Sequence, residues 1–247
     1  MPEDLPTSAD DPRLDGWYHT LELAPGIVTR GYYDHRPVAN RYGLPRTMDG
    51  MSALDVGTAD GFFAFEMERR GARVTAVDLP NLGACDWVPR MRRKLTPETL
   101  EDASWPGRFR LARRMLGSAV DYRHLSVYEL SPDSLGTFDV VFCGSLLLHL
   151  QSPLAALHAI RSVTEGMAVI ETAISPELER GHPDTPALSF GSRAEEKEIG
   201  ELNSYWLFTT RALEDMLLYA DFREVEPQGV FELPPHDLPV TSVVGRV

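Results

Sequence analysis

Residues 51–80, MSALDVGTADGFFAFEMERRGARVTAVDLP, constrain the fold more than any other stretch of the chain. Residues 52–56 are short, apolar and bounded by Gly50 and Gly57, which suits a strand buried on both faces of a parallel sheet. Gly57 and Gly61 bracket a sharp turn where a side chain would hold a ligand away from the backbone. Asp60 is placed to cap the helix that follows. Phe62, Phe65 and Met67 give that helix an apolar face for the sheet. Gly71 ends it, and residues 74–77 form a second strand. Asp78 then stands 21 residues after Gly57. In a βαβ unit such a carboxylate lies at the carboxyl end of the neighbouring strand, where it can accept both hydrogens of a ribose diol.

The glycine spacing narrows the ligand. A dinucleotide site asks for G-x-G-x-x-G, with pyrophosphate on the helix N-terminus. The second and third positions of that pattern fall here on Ala59 and Phe62. A Phe where the helix must approach pyrophosphate argues against NAD. Another nucleotide on a Rossmann-like unit is the competing expectation.

Composition sets outer bounds. A chain of 247 residues is long enough for one α/β domain with a full core and decorations. It carries 24 basic against 37 acidic residues, a net charge of −13. That disfavours a polyanionic partner, nucleic acid or an anionic membrane surface, because phosphate binding needs a basic field. Cys85 and Cys143 are its two cysteines, and both fall in stretches read as internal, which fits a reduced compartment. The opening MPEDLPTSADD is acidic and unlike a signal peptide. No apolar run approaches the ~18 residues of a membrane span. A cytoplasmic protein is expected.

In chain order, residues 1–13 read as polar and loosely attached. Residues 17–46 are rich in aromatics and His, with Pro25-Gly26 as a turn between two apolar pieces. Residues 1–46 are therefore expected to form an arm or cap, as a strap on the flank or as a cover for the site, and residues 47–247 the main domain. Further elements are a helix over 88–95, a Thr96-Pro97 restart, a break at Trp105-Pro106-Gly107 and an amphipathic helix over 108–116. A third strand over 120–127 and a fourth over 138–144 follow. Pro153 opens a helix with Ser152 as cap, and 167–172 is the fifth strand. Residues 174–203, with the charged run 195–198, are too long for a plain connector and read as a lid or binding loop. Thr209 or Thr210 caps a helix through Tyr219, and the last two strands cover 222–230 and 240–247.

Two stretches carry a family likeness. Asp55-Val-Gly57-Thr-Ala59-Asp-Gly61 resembles motif I of the class I S-adenosyl-L-methionine (SAM) methyltransferases, acid-x-G-x-G-x-G, with Ala in place of the middle glycine. FDVVFCGSLLLHLQSPLAAL resembles their motif IV. The wider pattern is similar to the tRNA uridine-5-oxyacetic acid carboxymethyltransferases and the domain-of-unknown-function relatives grouped with them. That likeness runs on through Asn203-Ser-Tyr-Trp-Leu-Phe and the helix to Asp221-Phe222, so roughly two hundred residues match in order. It implies a Rossmann-like α/β fold: a seven-stranded sheet in the order 3-2-1-4-5-7-6, strand seven antiparallel, helices on both faces, and the cofactor across the carboxyl ends of strands one and two.

The resemblance also implies roles. The backbone of Gly57, Thr58, Ala59 and Gly61 approaches the methionine part of SAM, with Asp55 orienting that turn or meeting the amino group. Asp78 binds the ribose, Leu79, Val127 and Tyr128 flank the adenine, and Cys143 and Gly144 pass beside the methionine part. The carboxymethyltransferases hold their extra cofactor carboxylate with N-terminal lysines and a Tyr before the motif IV His. Here residues 1–93 contain no Lys and Leu148 precedes His149, so ordinary SAM is expected.

SAM brings its own electrophile, so the protein must align a nucleophile and remove a proton if that nucleophile is a hydroxyl. His149, just past strand four, is the expected base. His19, His35 and Glu171 are the reserves. Trp17, Tyr18, Tyr32, Tyr33, Glu171 and Trp206 are the expected acceptor-binding residues. Glu171, His182 and Asp184 are metal-ligating residue types that could converge, but no spacing is diagnostic, and no metal is expected. The leading expectation is methylation of a small molecule, at a hydroxyl of a specialised metabolite or sugar-like compound, by a chain for which a homodimer is allowed. The alternatives are a tRNA-modifying relative and a non-catalytic SAM-binding protein.

Overall fold

The computed structural model of the protein describes residues 5–191 and 204–247. Its centre is a seven-stranded sheet. In chain order the strands are β1 (Ser52–Val56), β2 (Arg73–Asp78), β3 (Asp121–His124), β4 (Phe138–Gly144), β5 (Thr164–Ala173), β6 (Glu224–Leu233) and β7 (Leu238–Arg246). They lie side by side as 3-2-1-4-5-7-6, with β1 to β5 parallel and β7 antiparallel to both its neighbours. The order reverses between β1 and β4, which opens a crevice at their carboxyl ends.

Alternation along the strands divides the core into two layers. Ala53, Val140, Phe142 and Val169 point to the layer that holds α1 (Phe62–Arg69) and α2 (Ser104–Leu116). Leu54, Val141, Cys143 and Ile170 point to the layer that holds α3 (Pro153–Ser162) and α4 (Thr210–Tyr219). The residues before β1 join the first layer: Leu14, Trp17, Leu21, Leu23 and Tyr42 share one apolar cluster with Phe62 and Phe63. Within this arm, Glu22–Ala24 pairs with Ile27–Val28 around the Pro25-Gly26 turn, and Asp15–His19 pairs with Arg30–Tyr33.

Several local expectations are corrected. Residues 5–13 are tied down: Pro6 is buried, and Arg30 donates to the carbonyls of Ala9 and Asp11. The expected helix over 88–95 is the single turn Pro89–Arg92. Trp105-Pro106-Gly107 does not break the chain but lies in the first turn of α2, where a missing N–H costs no intrahelical bond. Ser152 sits at the N-cap of α3 without capping it, whereas Thr209 accepts from Ala212 N–H and caps α4. Asp60 does not cap α1: its cap position is Gly61, with no side-chain bond. The stretch expected to be irregular contains the helix Pro176–Gly181 and the strand Leu188–Phe190, paired with Trp206–Phe208. Its residues 192–203, the charged run included, lie outside the described residues.

The turn after β1 alternates through left-handed backbone at Gly57 (φ +74°), Ala59 (φ +49°) and Gly61 (φ +101°). Ala59 carries a Cβ there, at a cost of about 1–2 kcal/mol. Ala59→Gly is expected to stabilise the protein by about 0.5–1 kcal/mol, the part left after glycine's greater unfolded freedom. Thermal melting should rise by a few degrees; an unchanged or lower melting temperature would show the turn to be unstrained.

Candidate functional site

The turn is fastened to both flanking strands. The N–H groups of Gly57 and Thr58 donate to Val77 O (2.9 and 3.2 Å), and Thr58 Oγ1 donates to Asp55 Oδ2 (2.6 Å). Ala59 N–H donates to one oxygen of Asp78 and Leu79 N–H to the other, each at 2.7 Å. Asp55 thus orients the turn from beneath, and Asp78 closes it from the tip of β2. Enclosure pushes Asp55 up to about 6, partly offset by the Thr58 bond, and pushes Asp78 up to about 6, partly offset by the two backbone donors. A side chain at Gly57 would be strained, on left-handed backbone with its Cβ 3.2 Å from the Leu146 side chain.

Over this turn lies a cavity of about 270 Å³. Gly57, Asp78 and Leu79 form one wall, Val127 and Tyr128 a second, and Leu146 and Leu150 a third. Val127 and Tyr128 belong to a single turn, Val127–Glu129, held by a capping box between Ser126 and Glu129. Residues 84–87 also line it, Asp86 and Trp87 among them, and none of these was expected from sequence. Asp86 is a junction: Oδ2 accepts from Tyr128 O–H and Gln151 N–H (2.7 Å each), and its carbonyl accepts from Tyr205 O–H (2.8 Å). Tyr205 O–H in turn accepts from Val88 N–H, and Trp206 donates to Leu150 O. The signal for Asp86 was only the excess length between Asp78 and α2. Cys143 and Gly144 lie at the end of β4 and do not line this cavity; burial holds the Cys143 thiol above its usual range.

Beside Leu146 begins a second, polar cluster. Glu171, at the end of β5, is fully buried, and burial pushes it up to about 7 against the Ser145 bonds that pull it down. Ser145 Oγ lies 3.0 Å from Glu171 Oε2, and Ser145 also bonds the Tyr18 phenol. The Tyr18 ring meets Tyr33 edge-on at 5.3 Å. Burial first, then the charges around it, holds the Tyr18 hydroxyl well above the usual phenol range. Asp60, expected as a cap, instead pins the arm: it accepts from Tyr18 N–H (2.7 Å) and His19 N–H (3.2 Å). Asp60 Oδ1 also lies 2.5 Å from His19 Nδ1, at ion-pair distance but off the hydrogen-bonding line.

The remaining candidates are dispersed. His35 is buried against Phe62 and Phe63, with Nδ1 2.6 Å from Tyr42 O–H, and burial holds it well below the usual imidazole range. Trp17 is a core side chain donating to Arg13 O. Tyr32 is exposed and stacked on His236 at 4.2 Å, and Trp206 packs edge-on against Phe190. His149 ends the turn Leu147–His149, half-buried. Among the described residues no three His, Cys, Asp or Glu side chains converge as a metal site, and no helix is long and apolar enough to cross a membrane.

A family model described as a methyltransferase domain matches residues 32–226, most of the chain, including both motif stretches. The chain belongs to the class I SAM-dependent methyltransferases. SAM is the cofactor of that family. This methyltransferase is 35% identical over 126 residues to the ubiquinone biosynthesis O-methyltransferase of Xanthomonas campestris pv. campestris (strain B100), a stretch covering 51% of this chain and 42% of that protein. The methyltransferase thus aligns with less than half the length of that relative. In fold it is similar to the N-terminal domain of EvdMO1, solved with S-adenosylhomocysteine (SAH) and D-fucose: TM-score 0.63, 19% identity, 95% of this chain and 92% of that one. It is also similar to 1,6-didemethyltoxoflavin-N1-methyltransferase of Burkholderia thailandensis, with TM-score 0.52, 20% identity, 80% of this chain and 71% of that one.

Proposed function

We propose that this protein transfers the methyl group of SAM to a hydroxyl of a small, neutral or cationic molecule, with Glu171 as the base. The observation that carries the base assignment is Glu171 itself: a buried carboxylate raised to about 7 and directed at Ser145, which the Tyr18 phenol also meets, next to the Leu146 wall of the cavity. A general base is most effective with a pKa near the working pH. This moves the role from His149, and leaves His35 and His19 as packing and arm-pinning groups. The acceptor meets Tyr18 and Tyr33. The carboxylates and phenols around it, together with the net charge of −13, favour neutral or cationic acceptors over nucleic acid. The described part of the arm, residues 5–46, both straps the first layer and covers this side. Leu148 and the Lys-free N-terminal segment favour SAM over its carboxylated form.

The cavity fits SAM by chemistry: a carboxylate at its rim for a diol, apolar walls for a purine, and a glycine, Gly57, where a ligand meets the backbone of the turn. When bound, SAM supplies a sulfonium methyl. Asp78 takes the ribose, Leu79 and Val127 the adenine, and Gly57 to Gly61 the methionine part. Asp78→Ala is expected to weaken SAM binding by about 1.5–3 kcal/mol, the worth of charged hydrogen bonds, without unfolding the protein. In the wild type the ionised form of Asp78 is lost as pH falls through about 6. Affinity should therefore be flat above pH 7 and fall about tenfold per unit below 6. Calorimetry that finds no change in either case would remove Asp78 from the site.

The activity is tested by incubating the protein with radiolabelled-methyl SAM and hydroxyl compounds, D-fucose and catechol among them, and with a metabolite extract. Label on a small alcohol or phenol is expected. Label on RNA alone, or SAM binding with no transfer, would overturn the reading. A His149→Ala variant that keeps the rate agrees with Glu171 as base; its loss together with a fast Glu171→Gln variant would return the role to His149.

A further inference from the structure

Glu171 has no exposed surface, and what its carboxylate faces is Ser145. Ser145 Oγ lies 3.0 Å from Oε2 and 3.3 Å from Oε1, and Ser145 N–H donates to Glu171 O at 3.0 Å. Gly144 stands opposite Glu171 in the β4–β5 register; a Cβ there would come within 3.2 Å of Oε2 and 2.7 Å of the Phe142 ring, so the carboxylate occupies the room glycine leaves. Ser145 itself is held at φ +46°, a conformation that a residue with a Cβ adopts at a cost. Strain of this kind persists where surrounding structure enforces it, and it concentrates at functional sites. On its other side Ser145 meets the Tyr18 phenol. Ser145 is half-buried, and its neighbour Leu146 is part of the cofactor cavity wall. Of the two, Ser145 keeps exposed surface and Glu171 has none, so an acceptor can touch Ser145 but not the carboxylate.

We propose that Ser145 Oγ is a catalytic group that relays the acceptor's proton to Glu171. The inference rests on the reading of Glu171 as base. The acceptor O–H bond breaks and its proton bonds to Ser145 Oγ, while the Ser145 hydroxyl proton passes to Glu171 Oε2. The electron pair left on the acceptor oxygen forms the O–CH3 bond, and the S–CH3 bond breaks with its pair kept by sulfur. Glu171 turns from carboxylate to carboxylic acid as the sulfonium charge disappears, so no uncompensated charge is left inside. The Tyr18 phenol meets Ser145 from the other side, and in the transfer step the Ser145 hydrogen is the one directed at Glu171.

Ser145→Ala and Ser145→Gly test this, the glycine variant being suited to the left-handed backbone. In protein labelled at the Glu side-chain carboxyl carbon, the Glu171 midpoint, read by carbon NMR without SAM, should rise by about half a pH unit or more in both variants, because the lost hydrogen bond favours the ionised form. Both variants should bind SAM like the wild type, and Ser145→Gly should melt no lower. Transfer from labelled SAM to D-fucose or catechol should fall about a hundredfold, as for Glu171→Gln. The double variant should be no slower than either single one, because the two act as a unit. An unmoved Glu171 midpoint would overturn the relay. So would wild-type transfer in the Ser145 variants beside an inactive Glu171→Gln, which leaves the base reading standing. A fast Glu171→Gln variant would remove the base reading, and the relay with it.

Discussion

Replacing Glu171 by Gln is expected to reduce methyl transfer by about 10²–10⁴-fold while leaving SAM affinity within about twofold of the wild type. The amide keeps the shape of the carboxylate and can still accept from Ser145 Oγ, so the Ser145 contact and the β4–β5 exit are preserved. What is lost is the ability to take a proton. Because Glu171 is raised by burial to about 7, the wild-type rate should climb about tenfold per unit with pH up to that point and level off above it. The variant should lose that limb. Single-turnover rates across pH, measured with whichever acceptor takes label, decide the matter: a variant with the wild-type profile would place the titrating group elsewhere. Stability should not fall and should rise slightly at neutral pH, since the substitution removes an ionisable group buried without a cation at hydrogen-bonding distance among the contacts described.

The second large effect is structural. Asp60→Ala is expected to cost about 3–5 kcal/mol, the range for removing one partner from a buried charged contact. The side chain is fully enclosed, two backbone donors depend on it, the Tyr18 and His19 N–H groups, and the His19 ring lies against it at ion-pair distance. Without it two backbone N–H groups are left buried and unpaired at the edge where the arm meets α1. A fall in melting temperature on the order of ten degrees is expected. Asp60→Asn, which keeps an acceptor oxygen for the backbone donors, should recover part of it. Loss of transfer should exceed loss of SAM affinity in both, because the arm carries Tyr18. If Asp60→Ala melts with the wild type, the arm is held by its apolar contacts alone, Trp17 and Leu14 foremost.

These two residues also mark where reading the chain succeeded and where it stopped. The βαβ unit was legible because its determinants are close in sequence. Glycine at 57 and 61 and the acid at 78 specify a turn, a helix and a strand tip from local chemistry, and the strand order follows from the family likeness. Two walls of the cavity were expected, Gly57 with Asp78 and Leu79 from local chemistry and Val127 with Tyr128 from the family likeness, whereas Leu146 and Leu150 line it in place of the expected Cys143 and Gly144. The side at Asp86 was not legible: Asp86 acts by joining Tyr128, Gln151 and Tyr205, which are 42, 65 and 119 residues away. Asp60 was misread because a capping acid and an acid pinning a distant strand look alike until the partner is known, and that partner lies 42 residues earlier. The arm's aromatics were recognised as a group, but Trp17 and Tyr18 are adjacent on a strand and face opposite ways, one into the core and one to Ser145. Pairing data, absent from a single sequence, decide which.

The three raised carboxylates have a consequence for heat and protons. Asp55, Asp78 and Glu171 have native values of about 6, 6 and 7, each above the ordinary carboxylate range. Between about pH 4 and 7 these three groups therefore hold more protons in the folded chain than in the unfolded one, and their contribution to stability falls as pH rises through that window, the reverse of ordinary acid unfolding. SAM carries a sulfonium and an ammonium. A cation brought beside such groups favours their ionised forms. Binding near pH 6.5 thus ejects protons into the medium, and the calorimetric heat depends on which buffer takes them up, whereas near pH 8, where the three are already ionised, the same titration gives one heat in every buffer.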